Sequence, residues 1–249
     1  MTYCVGMKLD RGLIFLSDTR TNAGVDKVSR FRKMHTWEVP GERVLTLMSA
    51  GNLATTQAVI GRLEERAKAP DQREVSLLGV PTLFQAAERV ARTLRDVIAE
   101  QDAAGPRGDS LFEATLILGG QIKGIEPRLF LIYPEGNFIE ASEDTPFFQI
   151  GETKYGYPIL VRAYDRTMGF ADAVKLLCIS MDSTIRANLS VGMPLDLQVV
   201  ARDTLRVEFN HRFLEDDSYF AALSSGWGRA LRDAFEALPN FALPARDPA

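Results

Sequence analysis

The sequence predicts an α+β fold in which a pair of mostly antiparallel sheets lies between helix layers. Two observations carry this. Strand-like and helix-like segments come in blocks (strands, two helices, strands, two helices, strands, one helix), so a doubly wound parallel sheet is disfavoured. Neighbouring strand segments are joined by short Gly- or Pro-Gly-containing turns, the connection available to antiparallel pairs.

Residues 3–8 alternate loosely and read as a strand, and Asp10-Arg11-Gly12 reads as a hairpin turn. Leu13-Ile14-Phe15-Leu16 is apolar on both faces, which predicts a strand covered on both sides. Residues 19–24 are polar and turn-like. Residues 34–39 and 44–49 form a second predicted hairpin, turning at Pro40-Gly41-Glu42. After Gly51 the period changes: Leu53, Ile60, Leu63 and Ala67 share one face of a predicted helix reaching about Ala69. Residues 70–79 read as a connector. Phe84, Ala87, Ala91, Leu94 and Ile98 define a second amphipathic helix, and residues 102–109 a loop. Strands are expected at 112–118, 128–133 and 137–141, the last two joined by Pro134-Glu135-Gly136. Helices are expected at 153–164 and 170–189, then strands at 195–200 and 204–209. Asp216 or Asp217 can cap a final helix to about Leu238, followed by an extended tail over 239–249. With no repeat, low-complexity tract or linker, residues 1–249 read as one domain.

Composition narrows the function classes. The 249 residues are 46% hydrophobic and 25% charged, with a net charge of −4 and acidic and basic residues mixed along the chain. That gives no electrostatic reason to expect nucleic acid or an anionic membrane as partner. The start of the chain lacks the basic stretch and apolar run of a secretory leader. A cytoplasmic protein with Cys4 and Cys178 as reduced core thiols is therefore expected. Walker and Rossmann glycine patterns, a Gly-x-Ser-x-Gly elbow, Cys-x-x-Cys and His-Glu-x-x-His are all absent, so no metal or other cofactor is expected. His35 and His211 sit in no nucleophile motif.

A hydrolase without a histidine base has one compact solution. An N-terminal Thr carries a hydroxyl nucleophile and, in its α-amine (ordinary pKa about 7.7–8.0), a base. Thr2 can take this role if Met1 is removed, as methionine aminopeptidase does before small residues. The hydroxyl needs a cation beside it, worth on the order of 4 kcal/mol at 4 Å and an effective dielectric of about 20. Lys33 is the candidate, with Arg32 as the neighbouring alternative. Asp18, ending the second strand, can orient that cation. Gly51, at a strand-to-helix junction, can offer a backbone N–H to an oxyanion, its missing side chain letting substrate approach. Cys4 as a thiol nucleophile competes poorly with Cys4 as a buried strand residue.

Thr2, Leu16-Ser17-Asp18-Thr19-Arg20, Ala23-Gly24, Lys33 and Ser49-Ala50-Gly51 together resemble a proteasome β-type subunit, an N-terminal nucleophile (Ntn) hydrolase. The opening residues 1–12 and the run 17–26 resemble more narrowly its bacterial ancestral β-subunit branch, Anbu. The resemblance is dense over about the first 50 residues and rests on element order beyond them. It implies a four-layer αββα sandwich, threonine-type peptidase chemistry and a homo-oligomeric ring or ring-like assembly. Carried over by residue, Thr2 is nucleophile and base, Asp18 and Lys33 the charge relay, Arg20 and Ser190 supporting residues, and Gly51 the oxyanion donor. Thr21, Phe31 and Met48 or Ser49 are candidates to line the specificity pocket, with register open by one residue. Peptides or unfolded proteins are the implied substrates, an unfoldase an unidentified partner, and the two helices over 52–69 and 82–101 the contacts between subunits.

Two departures stand out. The family pattern Arg-Asp-x-x-Ser-Gly appears here as Arg186-Ala187-Asn188-Leu189-Ser190-Val191-Gly192, with Ala187 where the Asp belongs. Gly151-Glu152-Thr153 stands where a supporting hydroxyl is usual. A carboxylate near the amine raises its pKa and makes it a poorer base, although Glu152 also fits a first-turn helix carboxylate and Ser190 a plain helix-end residue. Two other readings therefore stand beside the peptidase: a proteasome-fold scaffold with negligible hydrolysis, and a small-molecule Ntn amidase with an open site, which oligomer mass separates from a ring chamber. Phe147, Phe148 and Trp227 read as core or subunit contacts, and Glu215-Asp216-Asp217 as a helix N-terminus.

Overall fold

The hydrophobic patterning resolves into two sheets and three apolar layers. The structure is a computed structural model describing residues 2–22, 28–69, 76–104 and 112–242. One five-stranded antiparallel sheet has the order β10-β1-β2-β11-β12, from strands β1 (Tyr3–Leu9), β2 (Gly12–Asp18), β10 (Phe147–Gly151), β11 (Leu195–Ala201) and β12 (Phe209–Phe213). The other runs β5-β6-β7-β8-β9, from β5 (Met34–Val39), β6 (Arg43–Gly51), β7 (Ala114–Ile122), β8 (Arg128–Ile132) and β9 (Phe138–Glu140). Helices α1 (Leu53–Lys68) and α2 (Leu83–Ala104) cover the outer face of the second sheet, and α3 (Tyr157–Ala163), α4 (Phe170–Ala187) and α5 (Ser218–Glu236) that of the first. This is the αββα sandwich.

Strand alternation builds the layers. Tyr3, Val5 and Met7 point into the α4 side, while Cys4 points into the layer between the sheets. Leu45 and Leu47 face α1 and α2, while Val44 and Met48 face the opposite sheet with Phe15 and Ile117. Every residue of β2 is buried, as its unbroken apolar run requires. Both cysteines are free and buried. Asn52 caps α1 and Asp217 caps α5, each side chain accepting a backbone N–H of the first turn. No helix among the described residues is long and apolar enough to cross a membrane.

Several expectations are corrected. The polar segment after Asp18 is not only a turn: Arg20–Asn22 pairs with Val28–Arg30 as a two-stranded ribbon, β3 and β4. It was hidden because Arg20-Thr21-Asn22 carries no apolar alternation. The last strand is Phe209–Phe213, not 204–209. Asp203 and Leu205 have φ of 65° and 52°, so the chain turns there and cannot yet be extended. The third helix starts at Tyr157 rather than 153, with a Pro in its first turn. β7 lies later than the expected 112–118, α2 runs on to Ala104, and β10 was not anticipated as a strand. Residue 1, the Ala23-Gly24 and Val25-Asp26 pairs, residues 70–75 and 105–111, and the tail beyond 242 lie outside the described residues.

Candidate active site

Thr2 is fixed by backbone pairing on both sides. In the β1–β2 hairpin Cys4 pairs with Ser17, which brings the N-terminal end of β1 beside Asp18. The Tyr3 N–H donates to Asp18 Oδ1 at 3.0 Å. On the other side Tyr3 pairs with Gly151 of β10, and the Glu152 N–H donates to the Thr2 carbonyl at 2.7 Å. Gly151 is required here. Its φ is +84°, and a Cβ would stand 1.9 Å from the Thr2 carbonyl oxygen. Tyr3 adds an anchor: its phenol meets Ser180 Oγ at 2.6 Å and accepts from Gln149 Nε2.

Asp18 and Lys33 form a buried ion pair behind Thr2. Lys33 Nζ donates to Asp18 Oδ1 at 2.7 Å and to the Arg20 carbonyl at 2.6 Å. Asp18 is wholly buried and Lys33 is 5% exposed. Asp18 Oδ2 accepts from the Gly192 N–H at 3.4 Å. Burial pushes the Asp18 carboxyl up from its ordinary value, against the pull of the Lys33 ammonium and the Tyr3 and Gly192 N–H groups. The backbone also places Lys33, whose carbonyl accepts from the Ser49 N–H at 3.0 Å. Of the two neighbours, Lys33 meets Asp18, whereas Arg32 is exposed.

A cavity of about 810 Å³ opens in front of this pair. Among the candidate site residues named from sequence, Thr2, Thr21, Phe31, Arg32, Lys33, Ser49 and Gly51 line it. Met48 does not. It is fully buried in the layer between the sheets, because alternation along β6 turns it away from its neighbour Ser49. Arg20 acts from behind: its Nη1 donates to the Leu189 carbonyl at 2.9 Å, and its guanidinium lies against Gly192. Ser190 does not line the cavity. Its N–H donates to Asn188 Oδ1 at 2.9 Å, and Asn188 Nδ2 donates to Glu152 Oε2 at 2.7 Å. Glu152 is buried, with Lys154 Nζ 3.5 Å from its other oxygen. Cys4 is fully buried, burial pushes its thiol far up, and it sits outside the cavity lining.

The reason for Gly51 also needs correction. Its φ is +120°, and a Cβ would come within 2.4 Å of the Glu113 carbonyl oxygen, so strand-to-helix geometry alone demands glycine. The sequence reading missed the outer wall, to which His35 on β5 and one face of α1 contribute: Thr56, Gln57, Ile60, Gly61 and Glu64. Their spacing of three and four is a legible signal, but the apolar face read from sequence includes only Ile60 of these five.

Comparisons with known proteins bear on the fold and the family. The family model described as "Proteasome subunit" matches residues 2–200. The solved structure of Anbu (ancestral beta-subunit) from Yersinia bercovieri is 48% identical, covers 97% of this chain and 100% of its own, and superposes with a TM-score of 0.90. A Gly-1 mutant of Anbu from Hyphomicrobium sp. strain MC1 is 48% identical over 98% of this chain and 100% of its own, TM-score 0.91. The helical assembly of the Anbu complex from Pseudomonas aeruginosa is 47% identical over 97% and 98%, TM-score 0.89. No curated protein matches the chain. With the family model spanning most of the sequence and near-half identity along almost the whole length, the chain belongs to the proteasome-subunit family, in its ancestral β-subunit branch.

Proposed function

We propose that the chain is a threonine-type peptidase whose nucleophile is the Thr2 hydroxyl, made N-terminal by removal of Met1. One observation carries this reading: Thr2, Lys33 and Gly51 line a single cavity, with Lys33 Nζ held by buried Asp18. In the proposed reaction the freed α-amine takes the hydroxyl proton as the oxygen attacks a peptide carbonyl. The Lys33 ammonium favours the alkoxide and, by like charge, lowers the pKa of the amine. The Gly51 backbone N–H stabilises the tetrahedral oxyanion. Collapse breaks the C–N bond, the amine proton passes to the leaving group, and an ester remains on Thr2. The same amine then deprotonates the water that hydrolyses it.

Residues 1–249 are read as one peptidase domain acting in a homo-oligomeric, ring-like assembly on peptides or unfolded proteins in the cytoplasm. The Pseudomonas aeruginosa relative, described as a helical assembly, supports an oligomer of this kind. A scaffold with little hydrolysis is the second reading. Ala187, exposed at the end of α4, and Ser190, outside the cavity lining, favour it. Intact mass before and after an α′,β′-epoxyketone separates the two, since that warhead closes its ring only on a hydroxyl and a free amine of one residue. The expected result is loss of Met1 and one adduct per chain. Retained Met1, or processed protein that never forms the adduct, transfers the assignment to the scaffold.

A further inference from the structure

The outer wall of the cavity holds two ionisable groups that the proposed reaction does not use. His35 Nδ1 lies 3.8 Å from Glu64 Oε1, with side chains 25% and 42% exposed. Among the described residues Glu64 is the only carboxylate in the lining, and Leu53, Thr56, Gln57, Ile60, Gly61 and Glu64 recur at spacings of three and four. That face of α1 therefore runs along the cavity as one wall ending at Glu64.

Gly61 is the second observation. Glycine is a poor residue for a helix interior, so a packing reason is sought. Among the described residues none is seen: a Cβ on Gly61 would meet no atom beyond its own helix backbone and chain neighbours within 4 Å. What its absence does is widen the cavity one turn before Glu64. An open, partly apolar wall of Phe31, Leu53 and Ile60, ending at a half-buried carboxylate, matches the stem and head of a long cationic side chain. Arg32 is the competing charge. It sits exposed, where water and salt screen it, whereas Glu64 is more enclosed. Lys33 is turned to Asp18 and the Arg20 carbonyl.

We infer that the His35–Glu64 end of the cavity, reached past Gly61, binds the side chain of a lysine or arginine next to the scissile bond, so that the enzyme cleaves beside basic residues. This rests on the threonine-peptidase reading for the cleavage itself, but not for the binding. Neutral His35 leaves the Glu64 charge available to the incoming cation, and burial holds the imidazole down toward that neutral form. A tripeptide ending in arginine gains an ion pair that a leucine peptide lacks. The expected discrimination is about tenfold, between that of a surface pair and that of a buried one.

The test uses two readouts on the assembled, processed protein. Labelling rates are compared for tripeptide epoxyketones carrying arginine or leucine next to the warhead. Binding of N-acetyl tripeptide amides ending in arginine or leucine is measured by calorimetry. Arginine is expected to win in both, with the ratio falling about tenfold in Glu64→Gln and by a smaller factor in Gly61→Ala, whose thermal melts report the fold. A ratio near one in the wild type, or one unmoved by Glu64→Gln, overturns the inference. Leucine labelling without arginine preference in either readout sinks this pocket and leaves the Thr2 nucleophile standing. Arginine-selective binding without labelling by either warhead does the reverse. Neither labelling nor selective binding overturns both.

Discussion

Thr2 is held between two unlike neighbours. On the β2 side stands the Asp18–Lys33 pair, built from a strand end and the residue before β5, with Asp18 wholly buried and three donors on its oxygens. On the β10 side stands Glu152, whose N–H holds the Thr2 carbonyl and whose carboxylate is held by Asn188 from the end of α4. One side presents a paired cation, the other a buried anion. The first is embedded in the sheet ladder. The second hangs on segments that follow a strand and a helix. The difference separates a part of the site fixed by the sheet from a part that, in the proposed reaction, tunes the Thr2 amine.

The largest effect is expected from Lys33→Met, which leaves the Asp18 carboxylate buried without its cation. Breaking such a pair costs about 3–5 kcal/mol, and peptide turnover should fall with it. The sign with pH follows from the direction of the shift. Burial already raises Asp18 above its ordinary 3.8, and removing the ammonium raises it further. The folded state then holds a proton that the unfolded state releases, so stability is lost as pH rises above that ordinary value through the raised one. Urea melts at acid and neutral pH should show the variant closest to wild type in acid. A variant equally stable at both would mean that Asp18 is not the fixed anchor described here.

Gly151→Ala attacks the other side. The substitution forces a left-handed φ on alanine and drives Cβ into the Thr2 carbonyl, 1.9 Å away. Strain of this kind costs about 1–3 kcal/mol. The β10 end must shift and Thr2 with it, so turnover should drop more than the loss of stability alone explains. Labelling rate set against the melting temperature checks this. A stabilised or neutral variant would show that β10 does not position Thr2.

What the sequence revealed follows the same division. The pairing of Asp18 with Lys33 was legible because a Thr2 nucleophile, if present, calls for a cation and a carboxylate to orient it. Thr21, Phe31 and Ser49 came with them. Met48 and Ser49 stayed alternatives because facing along a strand flips with each residue, and only the register to Ile117 and Leu116 separates the one from the other. His35 and Glu64 escaped because one lies on β5 and the other on α1, and only tertiary packing brings them to 3.8 Å. The apolar stripe of α1 concealed a double use: Ile60 belongs to the core and also lines the cavity. β12 was misplaced because Leu205 looks like a strand residue, whereas its φ of 52° marks a turn.

A milder change sharpens the Glu152 side. Glu152→Gln keeps an oxygen for Asn188 but removes the carboxylate charge of the residue whose N–H holds the Thr2 carbonyl. If that charge holds the amine protonated, the variant's kcat/KM profile should move to lower pH by up to about one unit, with turnover at pH 7 rising a few-fold. An unmoved profile would return Glu152 to a purely structural role beside Asn188.

The smallest effect concerns the outer wall and is read as a ratio, so that titration of the amine cancels. The groups that face His35 are Glu64 from α1 and Arg32 from the segment before β5; burial lowers the imidazole pKa from its ordinary 6.5, Glu64 pulls it up and Arg32 pushes it down. Above that lowered value His35 is neutral and Glu64 carries uncompensated charge toward the cavity. As pH falls through it, the imidazolium pairs with Glu64 and adds a like charge against an incoming arginine. The ratio of arginine to leucine kcat/KM should therefore decline a few-fold below pH 6.5, and His35→Asn should flatten the decline. A ratio that rises in acid, or that falls equally in His35→Asn, would assign the dependence to Arg32 or to the site around Thr2 instead of to this pair.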